Sequence, residues 1–265
     1  MATENNTLIL KAPWVFPTVS PVALWLVALV AAWAVLGQLY ADSIRLLLLW
    51  VPHLAKGLQM NILTSVLAIG IGTVLGLLVG ALELSQARWI NTPARWYVQV
   101  FRNAPLLVLI FFTTYVFPFE IKIGSIYLPF PDWIKATIGL ALPASAHIAE
   151  ILRGAVQSIP TPQWEASASL AFSRSQTLRW IILPQCVKRV LPPWMNLYAM
   201  ITMSTTLASL VGVTELLESA KNASNTVNRT DFTILVYLAI LTLFFAYCYP
   251  ITRLTRRLEK KFSFH

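Results

Sequence analysis

The chain has 265 residues, of which 57% are hydrophobic and only 12% are charged, and its mean hydropathy is +0.66. A soluble domain carries about 25% charged residues, so this composition excludes the soluble globular class and indicates an all-α integral membrane protein. The net charge of +9 would indicate nucleic-acid binding in a soluble protein, whereas in a membrane protein it reports orientation. We therefore expect contact with membrane lipids and no nucleic-acid partner.

Six stretches are apolar and long enough to cross a hydrocarbon layer of about 30 Å as helices. The run at 45–52 is apolar but short, which predicts either an interfacial helix or the start of a helix, with a bend at Pro52. Gly72, Gly76 and Gly80 form a ladder of small residues that allows close helix packing. The first stretch is too long for the apolar region of a cleaved signal peptide and is expected to remain as an anchor. The predicted spans lie at roughly 22–40, 59–84, 98–119, 133–153, 190–212 and 232–252.

Lys and Arg are distributed unequally between the two sides of these spans. If both termini and the loops at 85–97 and 154–189 share one side, that side receives 14 of the 20 basic residues. Because basic residues concentrate on the cytoplasmic side, both termini and the longer loop are predicted to face the cytoplasm of a bacterial inner membrane. The chain then divides into an N-terminal tail with the first span and interfacial segment (1–54), a transmembrane domain (55–258) and a cytoplasmic tail (259–265).

A polar, basic interruption of the apolar chain runs from 160 to 185. Its first half predicts a short helix at 164–170. Ser173 is followed three residues later by Gln176, a capping-box pattern that begins a second helix, and Pro184 is expected to end that helix. Two short helices between membrane spans indicate a docking surface for a soluble partner.

The residue order in this loop resembles the EAA loop of ABC-importer permeases. Glu165 and Ala166 match the start of the family pattern, the Leu-Pro pair at 183–184 matches its end, and the spacing between them is kept. Two positions differ, because Ser167 replaces an alanine and Ala171 replaces a glycine. In that family the loop forms coupling helices that sit in a groove of the ATPase subunit. The resemblance assigns this ATPase-coupling role to Glu165, Ala166, Ser167, Leu170, Ala171, Phe172, Ser173 and Arg174.

Two details of the loop are predicted from backbone chemistry. A glycine at the turn between the helices would tolerate a positive φ, whereas an alanine there costs roughly 1 kcal/mol. Ala171 is therefore predicted to keep a right-handed or extended conformation. Glu165 is expected to order the loop by placing a negative charge near a helix N-terminus.

Four further segments resemble the branch of these permeases that takes up polar amino acids of the histidine, glutamate, arginine and opine type. Met203 and Ser204 stand where this branch commonly has a Lys-Asp pair, which leaves the substrate group open. The resemblance implies a permease core of five spans, here with one extra N-terminal span and with cytoplasmic coupling helices. It extends over 55–258, and the four segments are 102–112, 149–155, 191–196 and 212–216.

The same resemblance implies the partners. A second permease subunit, either this chain or a paralogue, would complete a dimeric pore. Two ABC ATPase subunits would dock from the cytoplasm, and a soluble substrate-binding protein would act on the outer face. ATP and Mg²⁺ would be bound by the ATPases, because this sequence has no Walker A loop.

The sequence also lacks the motifs of an enzyme or a metal site. It contains no His-Glu-x-x-His, no cysteine cluster and no Gly-x-Ser-x-Gly. We therefore expect a transporter subunit without catalytic residues, a metal site or a cofactor of its own.

Several polar side chains lie inside the predicted spans. Glu150 and Arg153 stand three residues apart on one helix face, which predicts a structural ion pair. His147 is a candidate for the substrate path, because an ionisable group inside a membrane is costly. A neutral imidazole bonded to a neighbouring helix is the alternative. Further path candidates carry hydroxyl groups, although such groups usually bond back to their own helix: Ser145, Thr202, Thr205 and Thr206.

The sequence alone leaves two other functions open. A secondary transporter or channel would need no ATPase. A permease-like scaffold or sensor subunit would dock a partner without carrying substrate. Substrate-stimulated ATP hydrolysis distinguishes both from an ATP-driven importer.

Overall fold

The computed structural model describes residues 21–39, 41–123 and 126–262. The N-terminal tail to residue 20 and residues 263–265 of the predicted cytoplasmic tail lie outside this part. The elements in chain order are α1 (Pro21–Leu39), α2 (Ala41–Glu83), α3 (Arg88–Asn103), α4 (Leu106–Val116), β1 (Glu120–Ile123), β2 (Ile126–Pro129), α5 (Asp132–Gln157), α6 (Thr161–Ser169), α7 (Arg174–Gln176), a π turn (Thr177–Ile182), α8 (Leu183–Ser204), a 3₁₀ turn (Thr205–Val211), α9 (Leu216–Val227) and α10 (Thr230–Phe262).

The second helix is longer than the sequence predicts. The run at 45–52 and the second predicted span form the single helix α2, and Pro52 lies inside it. Leu47 and Leu54, on either side of this proline, are both buried in an apolar cluster with Phe232 of α10. Burial on both sides stabilises the helix through a position that local sequence would break. Of the two predictions for this run, the start of a longer helix is confirmed and the separate interfacial helix is wrong.

The third predicted span is not one helix. α3 ends at Asn103, α4 begins at Leu106, and the two helices meet at an angle of 106°. Ala104 and Pro105 between them are extended, because the residue before a proline is pushed out of the helical region. The prediction of one continuous helix at 98–119 is therefore wrong.

A β-hairpin that the sequence analysis did not predict follows α4. β1 and β2 pair antiparallel, with Glu120 opposite Pro129. Lys135 near the start of α5 is fully buried. Its Nζ lies 3.0 Å from an Asp132 carboxylate oxygen and 4.0 Å from the centre of the Phe119 ring. The ion pair lies within α5, and the cation–π contact joins α5 to Phe119, the residue before β1.

Helix length and composition limit the number of membrane crossings. Among the described residues, α2 and α10 are each long and apolar enough to cross a membrane, and the number rises to four if each of two bent pairs is one span. Those pairs are α3 with α4, and the continuous helix from Arg174 to Val211 with α9. α1 adds a shorter apolar stretch, Leu24–Val35. The total of about six spans stays a prediction.

Small residues allow α2 to lie close to α5. A Cβ atom added at Gly76 would lie 2.5 Å from the Ser145 carbonyl oxygen, and one at Gly72 would lie 2.9 Å from the Ala144 Cβ. At Gly70 an added Cβ meets nothing within 4 Å. The predicted ladder of small residues therefore packs two helices of one subunit against each other.

Gly76→Ala is expected to lower the free energy of unfolding by about 1–3 kcal/mol, because the new methyl group overlaps backbone of α5 that cannot move aside. Gly70→Ala makes the same chemical change on the same helix in open space and serves as the matched control. Thermal unfolding of both variants in detergent checks the prediction. Equal stability of the two variants would contradict close packing of α2 on α5.

Candidate functional site

Two short helices form the outer part of the loop at 160–185. α6 begins at Thr161, three residues before its predicted start, because Pro162 occupies the first turn, where its missing N–H costs nothing. Trp164 packs against a buried apolar cluster that includes Ile182 of the π turn and residues at the end of α5. The inner side of the loop is therefore held against α5.

The outer side of the loop is exposed. Seven of the eight predicted coupling residues are exposed, and two of them, Leu170 and Phe172, are large apolar residues with 71% and 41% of their surfaces accessible. Ser167 is the exception, because it is buried and its hydroxyl donates to the Gln163 carbonyl at 2.7 Å. We refer to the exposed residues of 165–174 as the coupling surface. Large apolar side chains exposed on a polar loop are typical of a protein-docking surface.

Glu165 does not act on a helix N-terminus. Because α6 begins at Thr161, Glu165 lies in its second turn, and the first turn carries no acidic residue. The effect of the helix dipole is confined to the first turn, so the predicted charge effect is wrong. The Glu165 side chain is exposed, where a soluble partner can reach it.

Ala171 has a positive φ of 54°, so the prediction of a right-handed or extended conformation is wrong. Hydrogen bonds at the end of α6 give the physical reason. The Phe172 N–H donates to the Ser167 carbonyl at 3.2 Å, and the Ala171 N–H donates to the Ala168 carbonyl at 2.9 Å. This pattern satisfies carbonyls that would otherwise end the helix unpaired, and it outweighs a cost of about 1 kcal/mol for a Cβ in the left-handed region.

Ala171→Gly is expected to strengthen this turn by up to about 1 kcal/mol, because glycine adopts a positive φ without a steric cost. Amide hydrogen exchange at Phe172 should slow as a result. Ala168→Gly inside α6 is the matched control, and it should speed exchange, since glycine weakens a helix interior by about 1 kcal/mol. Faster exchange in both variants would show that the left-handed turn is not what holds this loop.

The second coupling helix continues into the next span. The predicted capping box is confirmed, because the Ser173 N–H donates to Gln176 Oε1 at 2.8 Å and the Gln176 N–H donates to Ser173 Oγ at 3.4 Å. The prediction that Pro184 ends this helix is wrong, since the π turn leads into α8 without a break. The changed hydrogen-bond register of a π turn accommodates a residue that has no N–H.

One side-chain link joins α6 to α8, and a second joins α8 to α5. Gln185 of α8 donates to the Gln163 side chain of α6. Arg189 of α8 donates to the Ser158 carbonyl at 2.9 Å and to its hydroxyl at 2.8 Å, at the end of α5. These hydrogen bonds connect α6 to α5 by way of α8.

Glu150 and Arg153 lie side by side near the same end of α5. Arg153 Nε donates to Glu150 Oε2 at 3.0 Å, and a second guanidinium nitrogen binds Oε1. Arg102 of α3 joins this pair at 3.4 Å, a partner that the sequence analysis missed. The three side chains are 26–38% exposed, so each ion pair contributes about 1 kcal/mol or less. The cluster connects α3 to α5.

The predicted path residues lie in two separate parts of the chain. On α5, His147 is half-buried, and the Ser145 hydroxyl is buried 2.6 Å from the Tyr97 hydroxyl. The three threonines lie on α8 and the 3₁₀ turn, where each hydroxyl donates to a carbonyl of its own helix, as hydroxyls in spans usually do. These are Thr202, Thr205 and Thr206, at 2.9, 2.7 and 2.9 Å. A role in the substrate path stays a prediction for all five residues.

A groove of about 680 Å³ lies between α8 and α10. Met203 of α8 and the aromatic side chains Phe244 and Tyr249 of α10 line one part, and basic residues including Arg253 and Arg256 line the other. In the sequence these arginines indicate only the orientation of the chain, and the groove is not predicted. A groove needs two helices placed side by side, and no local pattern reports that placement.

Asn61, Thr205 and Glu215 form a buried polar network that the sequence analysis also missed. Asn61 Nδ2 donates to Thr205 Oγ1 and to Glu215 Oε2, both at 2.8 Å, and Asn61 Oδ1 accepts the Leu216 N–H at 2.9 Å. Each of the three side chains is only 1% exposed. Glu215 also caps α9 by accepting the Glu218 N–H at 2.9 Å. The network joins α2, the 3₁₀ turn and α9.

Comparison with known proteins shows what kind of membrane protein carries these features. The family described as binding-protein-dependent transport system inner membrane component matches residues 72–264. The chain belongs to this family. The match includes α5, the coupling surface, α8 and α10, so both the exposed loop and the groove lie within the shared permease domain.

Several relatives of this permease are named for amino-acid or opine transport. A probable amino-acid ABC transporter permease of Bacillus subtilis, YckA, is 36% identical over 167 residues, which is 63% of this chain and 71% of that protein. The octopine transport system permease OccM of Rhizobium radiobacter is 33% identical over 63% of this chain and 71% of its own length. The glutamine transport system permease GlnP of Escherichia coli is 33% identical over 63% and 74%.

Solved structures share the fold of this permease. A chain in the crystal structure of an amino acid ABC transporter with histidines has a TM-score of 0.71 at 24% identity, over 81% of this chain and 96% of that one. A chain of the MetNI methionine ABC transporter has a TM-score of 0.60 at 18% identity, over 78% and 96%. The expected all-α permease fold is confirmed.

Proposed function

We propose that this chain is the transmembrane permease subunit of an ATP-driven importer for polar amino acids or amino-acid derivatives such as opines. The observation that carries the proposal is its likeness to permeases named for amino acids, octopine and glutamine. The importer would lie in the bacterial inner membrane, with both termini in the cytoplasm, because most of the basic residues fall on that side.

Two ATPase subunits would bind ATP and Mg²⁺ and dock on the coupling surface. Leu170 and Phe172 are available for such docking because they are exposed. One continuous helix from Arg174 to Val211 runs from this surface to the groove at Met203. Closure of the ATPases would move that helix, and the motion would switch the permease between inward- and outward-open states.

A second permease subunit, this chain or a paralogue, would close the groove between α8 and α10 and complete the pore. A soluble substrate-binding protein would dock on the opposite side of the membrane from the ATPases. The groove supports this arrangement because its walls are aromatic and apolar at one part and basic at another, which offers contacts to both the apolar and the acidic groups of an amino acid.

Reconstitution of the chain with the ATPase and the binding protein of the proposed importer tests the proposal. Labelled glutamine or octopine, presented with the binding protein, should raise ATP hydrolysis several-fold and should accumulate only when ATP is supplied. Uptake without ATP would indicate a secondary transporter or channel. Substrate-stimulated hydrolysis without uptake would indicate a scaffold or sensor subunit.

A further inference from the structure

A cavity of about 430 Å³ lies beneath the first coupling helix, separate from the groove. Its walls come from the turn between α2 and α3, the end of α5, α6 and α7. Four helices each contribute one charged side chain to its lining: Glu83 at the end of α2, Arg95 of α3, Arg153 of α5 and Arg174 of α7. The volume falls in the range of about 300–1,000 Å³ found for small-molecule sites.

Glu83 is a buried acid with an unused oxygen. Its side chain belongs to a residue only 6% exposed, and its Oε2 atom has no hydrogen-bond partner in the described part of the chain. A buried carboxylate oxygen without a donor is costly. Glu83 therefore offers an acceptor that a bound donor would satisfy.

The arginines of the cavity differ in what they already bind. Arg153 is occupied, because its guanidinium donates to Glu150 and to Gln157. Arg95 and Arg174 make no ion pair or hydrogen bond with the described residues, and both are exposed. The cavity thus presents one unused carboxylate oxygen and two unused guanidinium groups.

This combination selects a ligand that carries both charges. A simple cation would be repelled by the two arginines. A simple anion would be attracted by them but repelled by Glu83, and it would leave the Glu83 oxygen without a donor, so only a ligand with both charges satisfies all three groups. We propose that the cavity binds the head group of a free α-amino acid, with its ammonium on Glu83 and its carboxylate on Arg95 and Arg174. An ammonium has three donors and a carboxylate accepts from guanidinium groups, so each charged group finds the partner it requires.

The position of the site gives the bound amino acid a structural effect. Thr161 and Trp164 of the first coupling helix line the same cavity as Glu83. A ligand seated there would bridge the α2–α3 turn to α6 and α7. The cavity shares no lining residue with the groove between α8 and α10, so the inference does not depend on the transport activity proposed above.

Titration calorimetry on the full chain in lipid nanodiscs tests the site with L-norvaline. Its inert side chain isolates recognition of the head group. Valerate keeps the carboxylate without the ammonium, and butylamine keeps the ammonium without the carboxylate. L-norvaline is expected to bind at least tenfold more tightly than either. Equal binding of valerate, equal binding of butylamine, or no saturable binding of L-norvaline would each overturn the proposal.

Variants locate that binding. Glu83→Gln should weaken L-norvaline binding at least tenfold, whereas Glu120→Gln, which removes an exposed acid of β1, is the matched control and should leave it unchanged. Arg95→Gln alters an exposed side chain and should also weaken binding tenfold, which keeps the test valid if Glu83→Gln does not fold. Undiminished binding in the folded variants would place the ligand elsewhere and overturn the proposal.

Discussion

Leu170→Asp is expected to weaken binding of the ATPase subunit by at least about 100-fold and to abolish ATP-driven uptake. Leu170 exposes 71% of its surface on the coupling surface, so docking of a partner would bury it. An aspartate there would carry an unpaired charge into the interface at a cost of about 3 kcal/mol or more, and each 1.4 kcal/mol is a factor of ten in affinity. Phe172→Asp should act in the same direction.

Controls separate lost docking from lost folding. Leu170→Asp should change the free energy of unfolding by no more than about 0.5 kcal/mol, because an exposed side chain contributes little to the folded chain. Leu170→Met keeps the apolar volume and should bind the ATPase nearly as well as the unchanged chain. Leu128→Asp places the same charge on an exposed leucine of β2 and should leave ATPase binding intact.

Titration of the purified ATPase against nanodiscs that hold each variant measures the affinity, and uptake into proteoliposomes measures the transport. Full ATPase affinity in Leu170→Asp would contradict docking at the coupling surface. In that case the EAA-like order of residues in this loop would have another explanation.

Docking at this surface would move the membrane-spanning part of the chain through a single helix. The chain is continuously helical from Arg174 to Val211, so a displacement of α7 reaches Met203 in the groove without crossing a loop. The π turn lies within this helix and is held on one side by the buried Ile182. Because π turns are less regular than α-helix, bending of the helix would concentrate there.

Local signals predicted some parts of the coupling loop correctly. The capping box needs only Ser173 and Gln176, which are three residues apart, and it formed as predicted. The side chain of Ala171 alone predicts a right-handed or extended conformation. Its φ is set instead by carbonyls of α6 that need hydrogen-bond partners. Pro184 alone likewise predicts the end of the helix, but the π turn before it allows the helix to continue.

Other features depend on tertiary contacts that no local pattern reports. Hydropathy averaged over a window joins 98–119 into one span, although Pro105 locally marks the break that the structure contains. Pro52 carries a similar local signal, yet α2 continues because Leu47 and Leu54 are buried. The same type of residue thus has opposite outcomes, and burial of its neighbours decides between them.

The buried polar network is the part of the fold that local sequence patterns predict least, because its residues are far apart in the chain. Asn61 lies 144 residues from Thr205 and 154 residues from Glu215 along the chain. Gly57, one turn before Asn61, allows these segments to meet, because a Cβ there would lie 2.7 Å from the Leu216 Cα. The close approach of α9 to α2 therefore brings the Glu215 carboxylate within reach of the Asn61 amide.

Asn61→Leu is expected to lower the free energy of unfolding by about 3–5 kcal/mol. The change keeps the side-chain volume but leaves the buried Glu215 Oε2 and the Leu216 N–H without the partners that Asn61 supplies. Thr205→Val removes one acceptor of the Asn61 amide and should cost only about 1 kcal/mol. Asn103→Leu makes the same change at an exposed site and should shift stability by no more than about 0.5 kcal/mol.

Chemical unfolding of the three variants in mixed detergent micelles measures these differences. The order of the three stability changes distinguishes a polar network from a purely apolar core, because Asn61→Leu would stabilise a purely apolar core. If Asn61→Leu equals or exceeds the stability of the unchanged chain, Glu215 must find another donor and α9 must be held to α2 by packing at Gly57 alone. If Asn61→Leu is the most damaging of the three, the polar network fixes the position of α9 against α2.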